Sequence, residues 1–106
     1  GNASAQFALG GFYADGTGVV KDEVEAVKYY KMAADQGNAS AQFALGGFYA
    51  DGTGVVKDKV EAVKYYKMAA DQGHANAQNT LGVCYQNGTG VVKDEVEAVK
   101  YYKMAA

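Results

Sequence analysis

The chain repeats itself with a period of 36 residues, and this periodicity sets the narrowest limits on its fold. The first and second units differ at one position only, where Glu23 is matched by Lys59. The third unit departs from the second at nine positions, and eight of these lie between His74 and Asn87. A repeat of this length is one small structural unit, which buries its apolar face only by stacking on a neighbour. The sequence therefore predicts a stack of three units.

The three units account for every residue of the chain. They comprise residues 1–36, 37–72 and 73–106, and the last stops two residues short of a full period. We therefore predict a single domain over residues 1–106 with no linker. The chain begins with Gly rather than Met and carries no signal-peptide pattern, which is typical of an excised segment.

Each unit shows the pattern of a helix, a glycine loop and a second helix. Apolar residues keep helical spacing over residues 2–14, and Gly16 supplies a C-terminal stop. Asp22 and Glu25 form a capping-box-like pair at the start of the second helix, and the pair recurs in both other units. The fold class that follows is all-α, an α-solenoid of three helix-turn-helix repeats with six antiparallel helices.

A glycine stands in the middle of each first helix. Gly10, Gly46 and Gly82 each cost about 1 kcal/mol relative to alanine at such a position. Because the cost recurs in every unit, we predict that these glycines allow a close helix–helix approach that a β-carbon would block.

Composition argues against several functional classes. The net charge is −2 and there is no Arg, whereas a nucleic-acid-binding protein is expected to carry a basic stripe. No apolar run approaches the roughly 20 residues of a membrane span, so neither nucleic acid nor a membrane is a predicted partner. The single cysteine, Cys84, cannot form an internal disulfide, and we interpret it as a small hydrophobic residue beside the packing face.

No residue pattern predicts catalysis, a metal site or a cofactor. His74 is the only histidine and has no ligand cluster around it, so we interpret it as a surface or capping residue. The loop with Gly16 and Gly18 lacks the third glycine of a dinucleotide fingerprint and the Gly-Lys-Ser/Thr of a P-loop. It also lacks the alternating acids and the final Glu of a calcium loop. We therefore expect a protein that is not an enzyme.

The motif Ala-Gln-x-x-Leu-Gly-x-x-Tyr-x-x-Gly-x-Gly-Val runs from Ala5 to Val19 and recurs in each unit. It resembles the Sel1-like repeat, a relative of the tetratricopeptide repeat, and the resemblance covers the chain three times. It implies a right-handed superhelix of antiparallel helix pairs, in which the first helix of each pair lines the concave side. It also implies adaptor work in larger complexes, without chemistry of its own. Tyr29 stands where Trp is common in the family, which is a mild departure.

Comparison of the units separates two sides of the first helix. On a helical wheel the unchanged residues Ala5, Gln6, Leu9, Gly10 and Tyr13 share one arc, and the residues that change in the third unit fill the opposite arc. A packing face must fit the same neighbour each time, so we predict that the variable arc faces outward and offers a groove for a protein or peptide. The candidate partner-binding residues are Ser4, Phe7, Gly11 and Asp15, then Ser40, Phe43, Gly47 and Asp51, then Asn76, Asn79, Val83 and Asn87.

The two phenylalanines of this groove have two interpretations. Phe7 and Phe43 are natural anchors for a partner peptide, because aromatic side chains dominate binding hot spots. Alternatively they pack against neighbouring first helices, since a helical wheel ignores neighbours.

The ends of the array lack the polar caps that terminal repeats normally carry. The last helix presents Ala98, Tyr101, Tyr102 and Ala105, the counterparts of residues that earlier second helices present to the next unit. A first helix of another molecule is a natural partner for it, so we predict head-to-tail self-association through a heterologous contact. The competing outcome is a frayed final helix.

The leading functional hypothesis is a non-enzymatic protein-interaction scaffold that uses the concave face of the first helices. The second is an engineered or recently duplicated model repeat with no natural partner, which the near-identity of the first two units favours. The third is antibiotic binding or hydrolysis by analogy with cysteine-rich members of the family. That analogy is weak, because this chain lacks their paired cysteines.

Overall fold

The computed structural model describes all 106 residues and contains six helices and no strand. The helices are α1 (Ala3–Asp15), α2 (Glu23–Asp35), α3 (Ala39–Asp51), α4 (Lys59–Asp71), α5 (Ala75–Asn87) and α6 (Glu95–Ala105). Each helix packs mainly on its neighbours in the chain, and short connections make these neighbours antiparallel. The array measures 43 × 25 × 19 Å. The predicted α-solenoid of three helix-turn-helix repeats is confirmed.

The first helix of each repeat begins and ends at a defined cap. Asn2, Asn38 and His74 precede α1, α3 and α5, and each side chain accepts a hydrogen bond from the backbone N–H three residues later. His74 does so through Nδ1 at 3.1 Å, which confirms it as a capping residue. At the other end, the predicted glycine stop adopts the left-handed conformation, with φ of +73° at Gly16.

The predicted capping box of the second helix forms only in half. Asp22 Oδ1 accepts a hydrogen bond from the Glu25 N–H at 3.1 Å. The Asp22 N–H, which a capping box would pair with Glu25, donates instead to the Tyr13 carbonyl oxygen on α1 at 2.9 Å. The Glu25 carboxylate lies 3.6 Å from Lys28 Nζ. The cap therefore ties the two helices of a repeat together as well as starting α2.

Within each repeat, a tyrosine ring lies directly on the mid-helix glycine. A β-carbon added at Gly10 would lie 2.6 Å from Tyr30 Cδ1, and one added at Gly46 would lie 2.5 Å from Tyr66 Cε1. Gly82 stands in the same relation to Tyr102, at 2.7 Å. The predicted close approach is thus confirmed in all three repeats.

Between repeats, the second helix of one unit packs on the first helix of the next. In the joint between α2 and α3, Val27, Tyr30 and Ala34 form one buried cluster with Ala41 and Leu45. The joint between α4 and α5 buries the equivalent residues. These clusters are the hydrophobic core of the solenoid, and each residue in them is nearly inaccessible to solvent.

A buried glutamine also crosses each joint. Gln42 Nε2 donates to the Ala34 carbonyl oxygen at 3.2 Å, and Gln78 Nε2 donates to the Ala70 carbonyl oxygen at 3.1 Å. Both acceptors lie in the last turn of a helix, where carbonyl groups lack a partner within the helix. Each carbonyl oxygen also accepts from a backbone N–H, that of Gly37 at 2.9 Å or Gly73 at 3.0 Å, so the glutamine adds a second donor from the next repeat.

Candidate functional site

Phe7 and Phe43 lie on the predicted binding side of the first helices, and each is half-buried. Phe7 packs against Tyr30 with ring centroids 5.6 Å apart. Phe43 packs against Tyr66 at 5.6 Å and against the capping His74 of the next repeat at 4.9 Å. Each ring thus combines a packed edge with an accessible part. The packing partners are tyrosines of the second helices and, for Phe43, the His74 cap, rather than the neighbouring first helices that one interpretation expected. The contact with His74 was not foreseen, because a helical wheel contains no neighbouring repeat.

Beside the rings lies a shallow strip of small residues. Gly11 and Gly47 are half-buried, and the Tyr30 and Tyr66 hydroxyls lie 3.7 and 4.0 Å from where their β-carbons would stand. The third repeat has Val83 here, 42% exposed. The Val83 side chain therefore occupies this strip on the third repeat. At Gly11 and Gly47 there is no side chain, so the backbone of another chain can approach more closely.

The remaining predicted residues form polar edges of the same surface. Ser4, Ser40 and Asn76 are exposed at the start of the first helices, and Asp15, Asp51 and Asn87 are exposed at their ends. Asn79, which replaces the phenylalanines in the third repeat, is exposed as well. All twelve predicted residues are thus at least partly accessible, with the rings at the first two repeats.

The charged residues within the first helices are all acidic. The first helices contain no lysine, and their only charged side chains are Asp15 and Asp51. The lysines lie instead in the second helices and in the loops before them. The acidic groups Asp15 and Asp51 lie at the ends of these helices, where Lys21 and Lys57 pack against the glycines that follow them.

One position of the variable arc does not face outward. Phe48 lies in the joint between repeats, with its ring 5.4 Å from Tyr30 in an edge-on arrangement. Its counterpart Cys84 is buried, and burial raises the pKa of the Cys84 thiol. Burial also raises the pKa of the neighbouring Tyr66 to about 12. Cys84 is thus a packing residue, as interpreted from the sequence, and the raised pKa disfavours the reactive thiolate.

The four predicted self-association residues lie in two different surroundings. Ala98 and Tyr101 are buried within the third repeat, and Tyr101 stacks on Tyr85. Tyr102 and Ala105 are half-buried and lie on the outer side of α6. Val99, which was not among the predicted residues, lies on that side and is 51% exposed. Comparison with the buried Val27 and Val63 could have found it, because they occupy the same place in the repeat.

Two further observations bear on what the surface can do. No group of three His, Cys, Asp or Glu side chains is placed to hold a metal ion. No helix is long and apolar enough to cross a membrane. On the first helices the structure places half-buried rings beside exposed polar residues.

The family model of the Sel1 repeat matches residues 3–38, 39–74 and 75–106, which is nearly the whole chain. The protein belongs to the Sel1 repeat family. Boundaries in that match lie two residues later than repeats counted from Gly1. Members of this family are typically non-enzymatic scaffolds for protein interactions.

Solved structures of Sel1 repeat proteins superpose closely on this one. A Sel1 repeat protein from Oxalobacter formigenes is 45% identical with a TM-score of 0.97, over 99% of this chain and 43% of that one. A protective antigen present in uropathogenic Escherichia coli strains, displaying an SLR fold, is 38% identical with a TM-score of 0.97. That match covers 99% of this chain and 22% of the antigen. The present chain thus spans less than half the length of either. No curated protein sequence matches it.

A more distant Sel1-like structure is the cysteine-rich protein B of Helicobacter pylori. It is 26% identical, with a TM-score of 0.82 over 97% of this chain and 80% of that one. The present chain has a single cysteine, Cys84, which is free and buried.

Proposed function

We propose that this Sel1 repeat array binds an extended segment of a partner protein along the exposed side of α1, α3 and α5. The observation that carries the proposal is the pair of half-buried rings, Phe7 and Phe43, at equivalent places in adjacent repeats. A ring already held on one edge by its neighbours loses little freedom when a partner covers the other edge. Such rings are effective anchors for a complementary apolar side chain.

The partner segment is proposed to carry two apolar side chains and a basic residue. The apolar side chains would contact Phe7 and Phe43, and the glycine strip of Gly11 and Gly47 would let the partner backbone approach. Asp15 and Asp51 are exposed at the edge of the same surface and favour a lysine or an arginine. An acidic segment would be disfavoured, because the first helices offer no positive side chain.

The direct test is a peptide-library selection on the intact chain, followed by affinity measurement of the selected peptides. Replacement of both Phe7 and Phe43 by Asn should weaken binding about tenfold or more, because both anchors are lost. Asn is the informative substitute, since the third repeat carries Asn79 at this position and folds with it. The helical circular dichroism signal should remain.

The matched control is the double variant Met32→Gln and Met68→Gln. These two side chains are 42% exposed and lie on α2 and α4 rather than on the first helices. Binding should be unchanged in this control. If the Asn variant loses its helical signal, the rings are core residues and the proposal fails. Failure to select any peptide would instead favour a model repeat without a partner.

The electrostatic part of the proposal has its own test. Replacement of Asp15 and Asp51 by Asn should lower the affinity for a basic peptide a few-fold and flatten its salt dependence. Equal binding of acidic and basic versions of the selected peptide would contradict this part.

A further inference from the structure

The two end faces of the solenoid have the same residues as the two sides of an internal joint. The sequence of α1 is identical to that of α3, and the sequence of α6 is identical to the matching part of α2. The joint between α2 and α3 is therefore an observed contact between the same two surfaces that α6 and α1 present to solvent. We propose that a second copy of this chain occupies the face of α6 with its own α1, in the geometry of the internal joint.

Solvent exposure marks the part of each face that the second copy would cover. Leu45 is 0% exposed within the joint, whereas its counterpart Leu9 is 36% exposed. Val27 is 4% exposed within the joint, whereas its counterpart Val99 is 51% exposed. Docking in the same geometry would bury both.

Specific polar and aromatic contacts have counterparts at the ends as well. In the joint the Phe48 ring lies 5.4 Å from Tyr30, and the counterparts Phe12 and Tyr102 are both accessible. Tyr102 lines two hollows on the outer side of the third repeat, and Phe12 of the second copy would reach it there.

A lysine–tyrosine contact could be repeated between copies. Lys31 Nζ lies 5.8 Å from the centre of the Tyr49 ring across the internal joint. Lys103 and Tyr13 are the corresponding pair across two molecules.

The expected contact is weak and does not close. Inside one chain the joint is held by a short turn, whereas two free molecules lose translational and rotational freedom on association. The contact is also heterologous, since α6 of one molecule meets α1 of another, and each added molecule presents a fresh face. The predicted product is a series of open head-to-tail oligomers that lengthens with concentration.

Sedimentation equilibrium between roughly 10 µM and 1 mM tests the proposal directly. The average mass of the unaltered chain should rise with concentration without reaching a plateau. Leu9→Lys and Val99→Lys should each remain monomeric, because either lysine would be buried without a partner in the joint. An equimolar mixture of the two variants should form a 1:1 dimer and nothing larger, because it contains one intact face of each kind.

A glycine pair provides a second, milder test. Gly18 has φ of +73° and no atom within 4 Å of an added β-carbon, whereas a β-carbon at its counterpart Gly54 would collide with the Glu23 carbonyl oxygen. Gly18→Asn should therefore abolish association, since Asn tolerates positive φ but brings the colliding atom. The control is Gly73→Asn, at φ of +85° with equally open space, which should associate like the unaltered chain.

Three results would overturn the proposal. The first is an unaltered chain that stays monomeric at millimolar concentration, and the second is a lysine mixture that does not dimerise. The third is Gly18→Asn associating as strongly as Gly73→Asn. Circular dichroism of each variant shows whether the fold is kept. If a lysine variant unfolds, the comparison of Gly18→Asn with Gly73→Asn tests the proposal in its place.

Discussion

Two adjacent glycines of α3 have different surroundings although they share a helix. Gly46 is buried beneath the Tyr66 ring, whereas Gly47 is half-buried and only the Tyr66 hydroxyl comes within 4.0 Å of its added β-carbon. In a helix interior, replacement of glycine by alanine normally stabilises by about 0.5–1 kcal/mol. Whether that gain is realised depends on the space above each residue.

We expect opposite signs for Gly46→Ala and Gly47→Ala. Gly46→Ala should lower the free energy of unfolding by about 1–3 kcal/mol, because the added methyl group would lie 2.5 Å from the ring and displace it. Gly47→Ala should raise it by up to about 1 kcal/mol. Urea unfolding followed by circular dichroism measures both, and a stabilising Gly46→Ala would contradict the close-contact explanation.

His74 makes a second residue-scale prediction through its capping bond to the Ala77 N–H. Replacement by Ala removes the acceptor, whereas replacement by Asn keeps it, as Asn38 does at 2.8 Å in the preceding repeat. Both changes lose the ring contact with Phe43, so their difference isolates the cap. We expect the Ala variant to be less stable than the Asn variant by about 1 kcal/mol in urea unfolding. Equal stability would mean that the cap contributes nothing.

For single residues, the sequence predicted what a residue does better than it predicted which side chains surround it. The recurrence of Gly10, Gly46 and Gly82 was enough to predict a close approach, because a recurrent cost needs a recurrent reason. The sequence pattern did not predict that the side chain packed on each glycine is a tyrosine. Val99 was missed for a similar reason, since its exposure depends on which helix is absent beside it rather than on its own neighbours in the chain.

Between elements, the glutamine that crosses each joint combines burial with a specific acceptor. Gln42 donates to the Ala34 carbonyl oxygen and accepts from Gln72 Nε2 at 2.8 Å. Gln6 has the same place in the first repeat, but it makes no hydrogen bond to a backbone carbonyl in this structure. Its one side-chain hydrogen bond is accepted from Gln36.

Gln42→Ala should therefore destabilise much more than Gln6→Ala. The first change removes a buried side chain and its hydrogen bond to the Ala34 carbonyl oxygen, which then keeps only the Gly37 N–H, and should cost about 1–3 kcal/mol. The second change should cost less than about 0.5 kcal/mol. Thermal and urea unfolding of the two single variants provide the comparison. Similar losses at both positions would show that the bond across the joint is not the source of the effect.

Element boundaries followed closely from the sequence. The first helix was predicted over residues 2–14 and is found at Ala3–Asp15, because the N-cap and the glycine stop are local signals. The capping box was only half correct, because the Asp22 N–H bonds Tyr13 on another helix. The prediction that the whole variable arc faces outward is wrong at Phe48 for the same kind of reason, since this ring packs on Tyr30 of the preceding repeat.

For the whole molecule, ionisation of buried tyrosines predicts how stability depends on alkaline pH. Burial raises the pKa of Tyr66 from 10.0 to about 12, and burial also raises the pKa of Tyr30, Tyr65 and Tyr101. The unfolded chain therefore loses these protons at lower pH than the folded chain. Stability should be full below about pH 10 and should fall as the pH rises toward 12.

The lysines over tyrosine rings act in the same direction. Interaction with the Tyr49 and Tyr85 side chains raises the pKa of Lys31 and Lys67, so the folded chain keeps these charges to higher pH than the unfolded chain. Urea midpoints measured across the alkaline range should show the decline. Tyr66→Phe should make it shallower, and an unchanged slope would exclude Tyr66 as a contributor.

Each repeat also contains one pair of stacked tyrosines, and the chain has no tryptophan. The pairs are Tyr13–Tyr29, Tyr49–Tyr65 and Tyr85–Tyr101, all with ring centroids 5.7 Å apart and planes within 10° of parallel. Such fixed pairs couple electronically and give the near-ultraviolet circular dichroism three nearly identical contributions, beside those of the single rings Tyr30, Tyr66 and Tyr102. Each repeat thus holds three packed tyrosines, and the signal scales with the number of folded repeats. A terminal repeat that unravels alone would remove about a third of it, whereas a fully cooperative array would lose it in one step.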